Sequence, residues 1–196
     1  MAHVWVNIKI LLPSVFILLI VSLRHTFTDD SPLYKFVLKD IHGDNVNMEI
    51  YKGKVLLLVN VASKCGYTDN HYIELVKIQA QFATQGFTVL GFPCNQFGHQ
   101  EPHDEVQILK FVKKEYNVNF PMFSKIDVGG EHAHPLYVFL YKATYDYPKW
   151  NFGKYLIDRN GNPVKFFSQN VSPSAIVPYI ELLIENKTVH SYHNDL

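Results

Sequence analysis

The hydrophobic pattern changes period several times along the 196 residues. Val55–Val61 (VLLLVNV) is apolar at nearly every position, which suits a strand buried on both faces of a sheet. Phe87–Phe92 (FTVLGF) repeats that pattern. Between them, Asn70–Thr84 places Ile73, Val76, Ile78, Ala80 and Phe82 on roughly one helical face, and Gly86 marks a stop. His103–Tyr116 predicts a second helix with Val106, Leu109, Phe111 and Val112 inward. Pro135–Tyr145 predicts a third, opened by proline in its first turn. Lys35–Lys39 and Val46–Ile50 predict a hairpin about His42-Gly43-Asp44-Asn45. Tyr155–Asp158 and Pro163–Phe167 predict another about Arg159-Asn160-Gly161-Asn162. Met122–Val128 is expected as strand or extended chain, and Pro173–Glu185 as a final amphipathic helix.

Helices alternating with buried strands, then a hairpin and a helix, give an α/β class. The expected architecture is a thioredoxin-like fold: a central mixed sheet flanked by helices, with an N-terminal β-hairpin. One domain, residues 31–190, carries it. Ile10–Leu23 is almost wholly apolar between Lys9 and Arg24, so residues 1–30 are expected as a cleaved signal peptide or a membrane anchor plus a polar linker. The chain ends His193-Asn194-Asp195-Leu196, so residues 191–196 form a tail similar to KDEL-type retrieval signals. Together the two ends predict the endoplasmic reticulum lumen, or its membrane with the domain facing the lumen; secretion is the alternative. The sequons Asn170-Val171-Ser172 and Asn186-Lys187-Thr188 fit that compartment.

Composition narrows the chemistry. Hydrophobic content of 47% supports a packed core, and a formal net charge of +0 gives no electrostatic pull toward nucleic acid. Two cysteines exclude a disulfide-rich scaffold. Cys65 falls where the first buried strand gives way to a helix, and backbone N–H groups there stabilise a thiolate. No Cys-x-x-Cys surrounds it, so a lone thiol is set for attack on an electrophile rather than dithiol exchange. Gln96, Trp150 and Asn151 carry N–H donors that, placed around the sulfur, would stabilise a thiolate and a departing alkoxide. No metal or cofactor is expected.

Three segments resemble the glutathione peroxidase family: VNVASKCGYT (Val59–Thr68), LGFPCNQFGHQEP (Leu90–Pro102) and WNFGKYLID (Trp150–Asp158). The resemblance runs from Tyr34 to Ile184, and Thr68–Tyr72, Phe120–Ile126 and the terminus are similar to ER-resident, cysteine-type members. It implies a thiol peroxidase that reduces hydrogen peroxide and organic or lipid hydroperoxides in response to oxidative stress. Cys65 would be the peroxidatic residue, with Gln96, Trp150 and Asn151 completing a catalytic tetrad. It also implies glutathione or a protein disulfide isomerase as reducing partner, with Cys94 the candidate resolving thiol. Lys113 stands at or near the place where thioredoxin-dependent members carry a resolving cysteine. The short Tyr141–Trp150 segment implies a monomer with an open site. The chain's arginines are Arg24 and Arg159, so the arginine-rich surface associated with good glutathione use is not expected. The competing reading is a non-catalytic luminal redox sensor or adaptor.

Overall fold

The computed structural model describes residues 31–187; the expected signal or anchor, residues 1–30, and the retrieval tail lie outside the described residues. A 3-10 turn, Pro32–Lys35, leads into a small antiparallel hairpin of β1 (Val37–Lys39) and β2 (Asn45–Asn47). The hairpin is shorter than its hydrophobic pattern suggests. The Asn47 side chain accepts from Glu49 N at 3.0 Å and turns Met48–Tyr51 into a 3-10 helix, burying Met48 and Tyr51.

The central sheet has the order β4-β3-β5-β6. Its members are β3 (Val55–Val61), β4 (Phe87–Pro93), β5 (Lys154–Ile157) and β6 (Pro163–Phe167). β3 pairs parallel with β4 and antiparallel with β5, and β5 pairs antiparallel with β6, so the sheet is mixed. All seven residues of β3 are buried. Val55, Leu57, Val59 and Val61 enter one core; Leu56 and Leu58 enter the other. This is the period-2 alternation of a strand covered on both sides.

Helices α1 (Thr68–Phe82), α2 (Glu105–Tyr116) and α4 (Val177–Ile184) contribute to the first core through Leu75, Ile108 and Ile180. Helix α3 (Pro135–Thr144) and the N-terminal hairpin cover the second through Leu136, Leu140 and Leu38. The last helix begins later than its pattern suggests. Pro173–Ile176 is a 3-10 turn, and Pro178 sits in the first turn of α4, where its missing N–H is not needed. Residues 122–128 are extended but form only single bridges, Gly91 to Met122 and Asp40 to Phe123. At Gly91 a Cβ would lie 2.5 Å from Met122 Sδ, so the absent side chain lets this segment cross β4.

Candidate active site

The sheet delivers its chemistry at one edge, the C-terminal ends of β3 and β4. Cys65 follows β3 by four residues and precedes α1 by three. Its N–H donates to Thr68 Oγ1 at 3.0 Å, while Thr68 N donates to Cys65 O at 3.0 Å. Thr68 Oγ1 donates in turn to Ala62 O at 2.8 Å, tying the strand end to the helix start. Cys65 is therefore held at the N-terminal end of α1, where backbone N–H groups favour an anion. A Cβ on the next residue, Gly66, would meet nothing within 4 Å, so the turn opens outward.

Segment 150–153 reaches this edge by continuing the β3–β5 ladder. Phe152 N donates to Asn60 O at 2.6 Å, and Asn60 N to Gly153 O at 3.2 Å. Asn60 Nδ2 donates to Trp150 O at 3.1 Å. Trp150 is half-buried against Phe97, with ring centroids 6.0 Å apart. Asn151 is fully buried. Its Nδ2 donates to Gln100 Oε1 at 2.9 Å and approaches Phe97 O at 3.4 Å.

The expected role of Gln96 needs correction. Gln96 is exposed, and its Oε1 accepts from Val128 N at 2.7 Å and Gly129 N at 3.1 Å, while its Nε2 donates to Gly129 O at 2.8 Å. Its amide thus closes the 128–129 turn. Gln100, four residues on, is tied to the Cys65 turn instead: Lys64 N donates to Gln100 O at 3.0 Å, directly beside Cys65 in the chain. Gln100 Oε1 is occupied by Asn151, and its Nε2 has no protein partner among the described residues. Both glutamines lie in the same loop four residues apart, so the sequence supplied the residue type without the orientation.

Cys94 lies on the other side of the sheet. Leu90, Phe92 and Cys94 alternate onto the second core, whereas Cys65 belongs to the first. Both cysteines are free, Cys65 is 9% exposed and Cys94 is 0% exposed. Burial pushes the Cys94 thiol up, and it donates weakly to Gln96 Oε1 at 3.6 Å. The two thiols thus enter different cores.

A buried basic pair also escaped the sequence reading. Lys154 Nζ donates to Phe152 O at 2.6 Å and Ser168 O at 3.1 Å, and lies 3.3 Å from His71 Nε2. Desolvation lowers Lys154 to about 7. Desolvation, then the charge of Lys154, lowers His71 to about 4. The signal was a lysine inside an apolar strand, Lys154 of KYLI. Arg159 is spent on structure, donating to Gly53 O at 2.8 Å, Gln85 O at 3.0 Å and Ile184 O at 3.1 Å.

A family model described as glutathione peroxidase matches residues 33–141. A probable phospholipid hydroperoxide glutathione peroxidase of Mesembryanthemum crystallinum is 45% identical over 156 residues, covering 78% of this chain and 92% of that protein. The chain belongs to the glutathione peroxidase family. The crystal structure of T. cruzi GPX1 is 36% identical, covers 78% of this peroxidase and 96% of that chain, and superposes with a TM-score of 0.64. A thioredoxin-family thiol:disulfide interchange protein of Chlorobium tepidum, 17% identical with a TM-score of 0.60, covers 79% of this chain and 97% of its own. That likeness shows the thioredoxin-like fold alone. By its family the chain is a peroxidase-type oxidoreductase, and Cys65 stands in the turn between β3 and α1.

Proposed function

We propose that Cys65 reduces hydrogen peroxide and organic or lipid hydroperoxides, and that its oxidised form is returned by an external thiol, glutathione or a protein dithiol of the disulfide isomerase type. The carrying observation is the convergence of the Cys65 turn, the Gln100–Asn151 amide pair and Trp150 at one edge. Cys65 thiolate attacks the distal oxygen of ROOH, an S–O bond forms as the O–O bond breaks, and the departing RO⁻ takes one proton from solvent and leaves as ROH. The resulting sulfenic acid condenses with an external thiol, forming a disulfide and water. A second thiolate attacks that disulfide and restores Cys65. Gln100 Nε2 and the Trp150 indole N–H supply donors for the leaving oxygen.

An external reductant is favoured over Cys94 because Cys94 is fully buried on the opposite face. A protein dithiol is favoured over glutathione because the described arginine, Arg159, is committed to three backbone carbonyls. The sequence of both ends favours a lumenal site of action in the endoplasmic reticulum, and the short loop after α3 favours a monomer. Mass spectrometry after one equivalent of hydrogen peroxide tests the reading. Cys65 should be lost as free thiol and trapped as sulfenic acid, and Cys65→Ser should abolish the loss. A Cys65 that keeps its thiol under these conditions would leave the non-catalytic sensor as the better account. Recovery only as a Cys65–Cys94 disulfide would overturn the preference for an external thiol.

A further inference from the structure

Behind the Cys65 turn lies a set of buried polar groups that the peroxidase chemistry above does not use. Glu101 is 0% exposed, yet neither carboxyl oxygen has a hydrogen-bond partner among the described residues. The same holds for Ser63 Oγ and Tyr72 OH, both buried. These orphans share one neighbourhood. Ser63 faces the Glu101 carboxyl, at a geometry short of a hydrogen bond, and Tyr72 lies within electrostatic reach of it. Tyr72 is fixed there by stacking on Tyr116 at 5.0 Å and by an edge contact with Phe152 at 5.8 Å.

Leaving four such atoms without any partner is unfavourable, since each loses its hydration and gains no bond in return. Buried polar groups of this kind are ordinarily met by internal water making two to four hydrogen bonds. The location matters for catalysis. Ser63 precedes Cys65 by two residues, Glu101 follows Gln100, and the Lys64 N to Gln100 O bond of 3.0 Å joins the two segments.

We propose that Ser63, Tyr72 and Glu101 form a buried hydration site beneath the Cys65 turn, and that Glu101 is a positioning residue for Cys65 and Gln100. The proposal rests on the peroxidase reading for its catalytic half only. A neutral carboxyl can donate to water and accept from it; an anion here would place a second negative charge beneath the turn that carries the Cys65 thiolate. The groups facing Glu101 are Ser63 and Lys64 from the turn, Tyr72 from α1, Cys94 from the end of β4 and Lys125 from the extended segment. Lys64 is exposed, and Lys125 Nζ already donates to His103 O at 2.6 Å. Desolvation raises Glu101 to about 7, outweighing the nearby Ser63 hydroxyl and backbone N–H and both cations, which favour the carboxylate.

The test compares full-length wild type with Glu101→Gln, which keeps the shape and removes the ionisation. Infrared difference spectra at pH 6 should show a protonated-carboxyl band that Glu101→Gln lacks. The rate of Cys65 thiol loss with hydrogen peroxide should favour Glu101→Gln increasingly as pH rises. With a midpoint near 7, the variant-to-wild-type ratio grows about tenfold from pH 6 to pH 8. A flat ratio, or no protonated-carboxyl band, overturns the proposal. If wild-type Cys65 proves inert to peroxide at every pH, the peroxidase reading fails on its own. The hydration site is then judged by the infrared band and by a high-resolution crystal structure. Water within hydrogen-bond distance of Ser63 Oγ, Tyr72 OH and Glu101 supports it, and a Glu101–Lys64 or Glu101–Lys125 ion pair sinks it.

Discussion

Replacing Lys154 with Met should flatten the pH dependence of stability. Lys154 is 0% exposed and lies in the middle of the sheet, with two backbone carbonyls and His71 around its amine. Its folded value, about 7, lies below its ordinary value of 10.5. The folded state therefore holds fewer protons than the unfolded chain, and stability rises with pH. The contribution is fully present above about 10.5 and is lost as pH falls through about 7. Between pH 9 and pH 6 the loss from this one group is about 2.5 kcal/mol. His71 acts in the same direction at lower pH, since its stabilising contribution is lost as pH falls through about 4. Met retains the length and apolar stem of Lys154 but leaves Phe152 O and Ser168 O without their donor, at about 1–3 kcal/mol for each orphaned group. Lys154→Met should thus be clearly less stable than wild type at pH 9, and the gap should shrink by about 2.5 kcal/mol at pH 6. Urea denaturation at pH 6, 7.5 and 9 measures this from the midpoints at constant slope. A gap that stays constant across the three pH values would show that Lys154 keeps its proton when folded, and would refute the reasoning.

Two further outcomes follow from the same geometry. Gln100→Ala should slow the peroxide step by about 10²–10³, the usual effect of removing one oxyanion donor, whereas Gln96→Ala should leave that rate within about threefold and weaken the 128–129 turn instead; stopped-flow measurement of Cys65 oxidation separates them, and equal losses would restore Gln96 to the site. Gly91→Ala should destabilise the fold by about 1–3 kcal/mol through overpacking against Met122 and Phe120, read as a lowered thermal midpoint, and an unchanged midpoint would mean that residues 120–123 shift freely.

Local period and residue type were enough for the long elements, though not for the length of the N-terminal hairpin or the start of α4. The run Val55–Val61, apolar at every position but Asn60, had to be a two-sided strand, and it is buried at all seven positions. Gly86 ended its helix, and Gly161 made its turn at φ +82°. The absence of a second thiol beside Cys65 narrowed its chemistry. What only the tertiary structure decided was direction. A strand's parity sends Cys94 to the core opposite Cys65, so two cysteines near one sheet edge are separated by the sheet itself. A loop of Gly, Asn and Gln has no period from which to read orientation. That is why Gln96, which closes the 128–129 turn, and Gln100, which meets Asn151, could not be told apart beforehand. The burial of the ionisable groups Lys154 and Glu101 was hidden for the same reason: burial belongs to the assembled layers, and the cost of removing a charge from water exists only once those layers close.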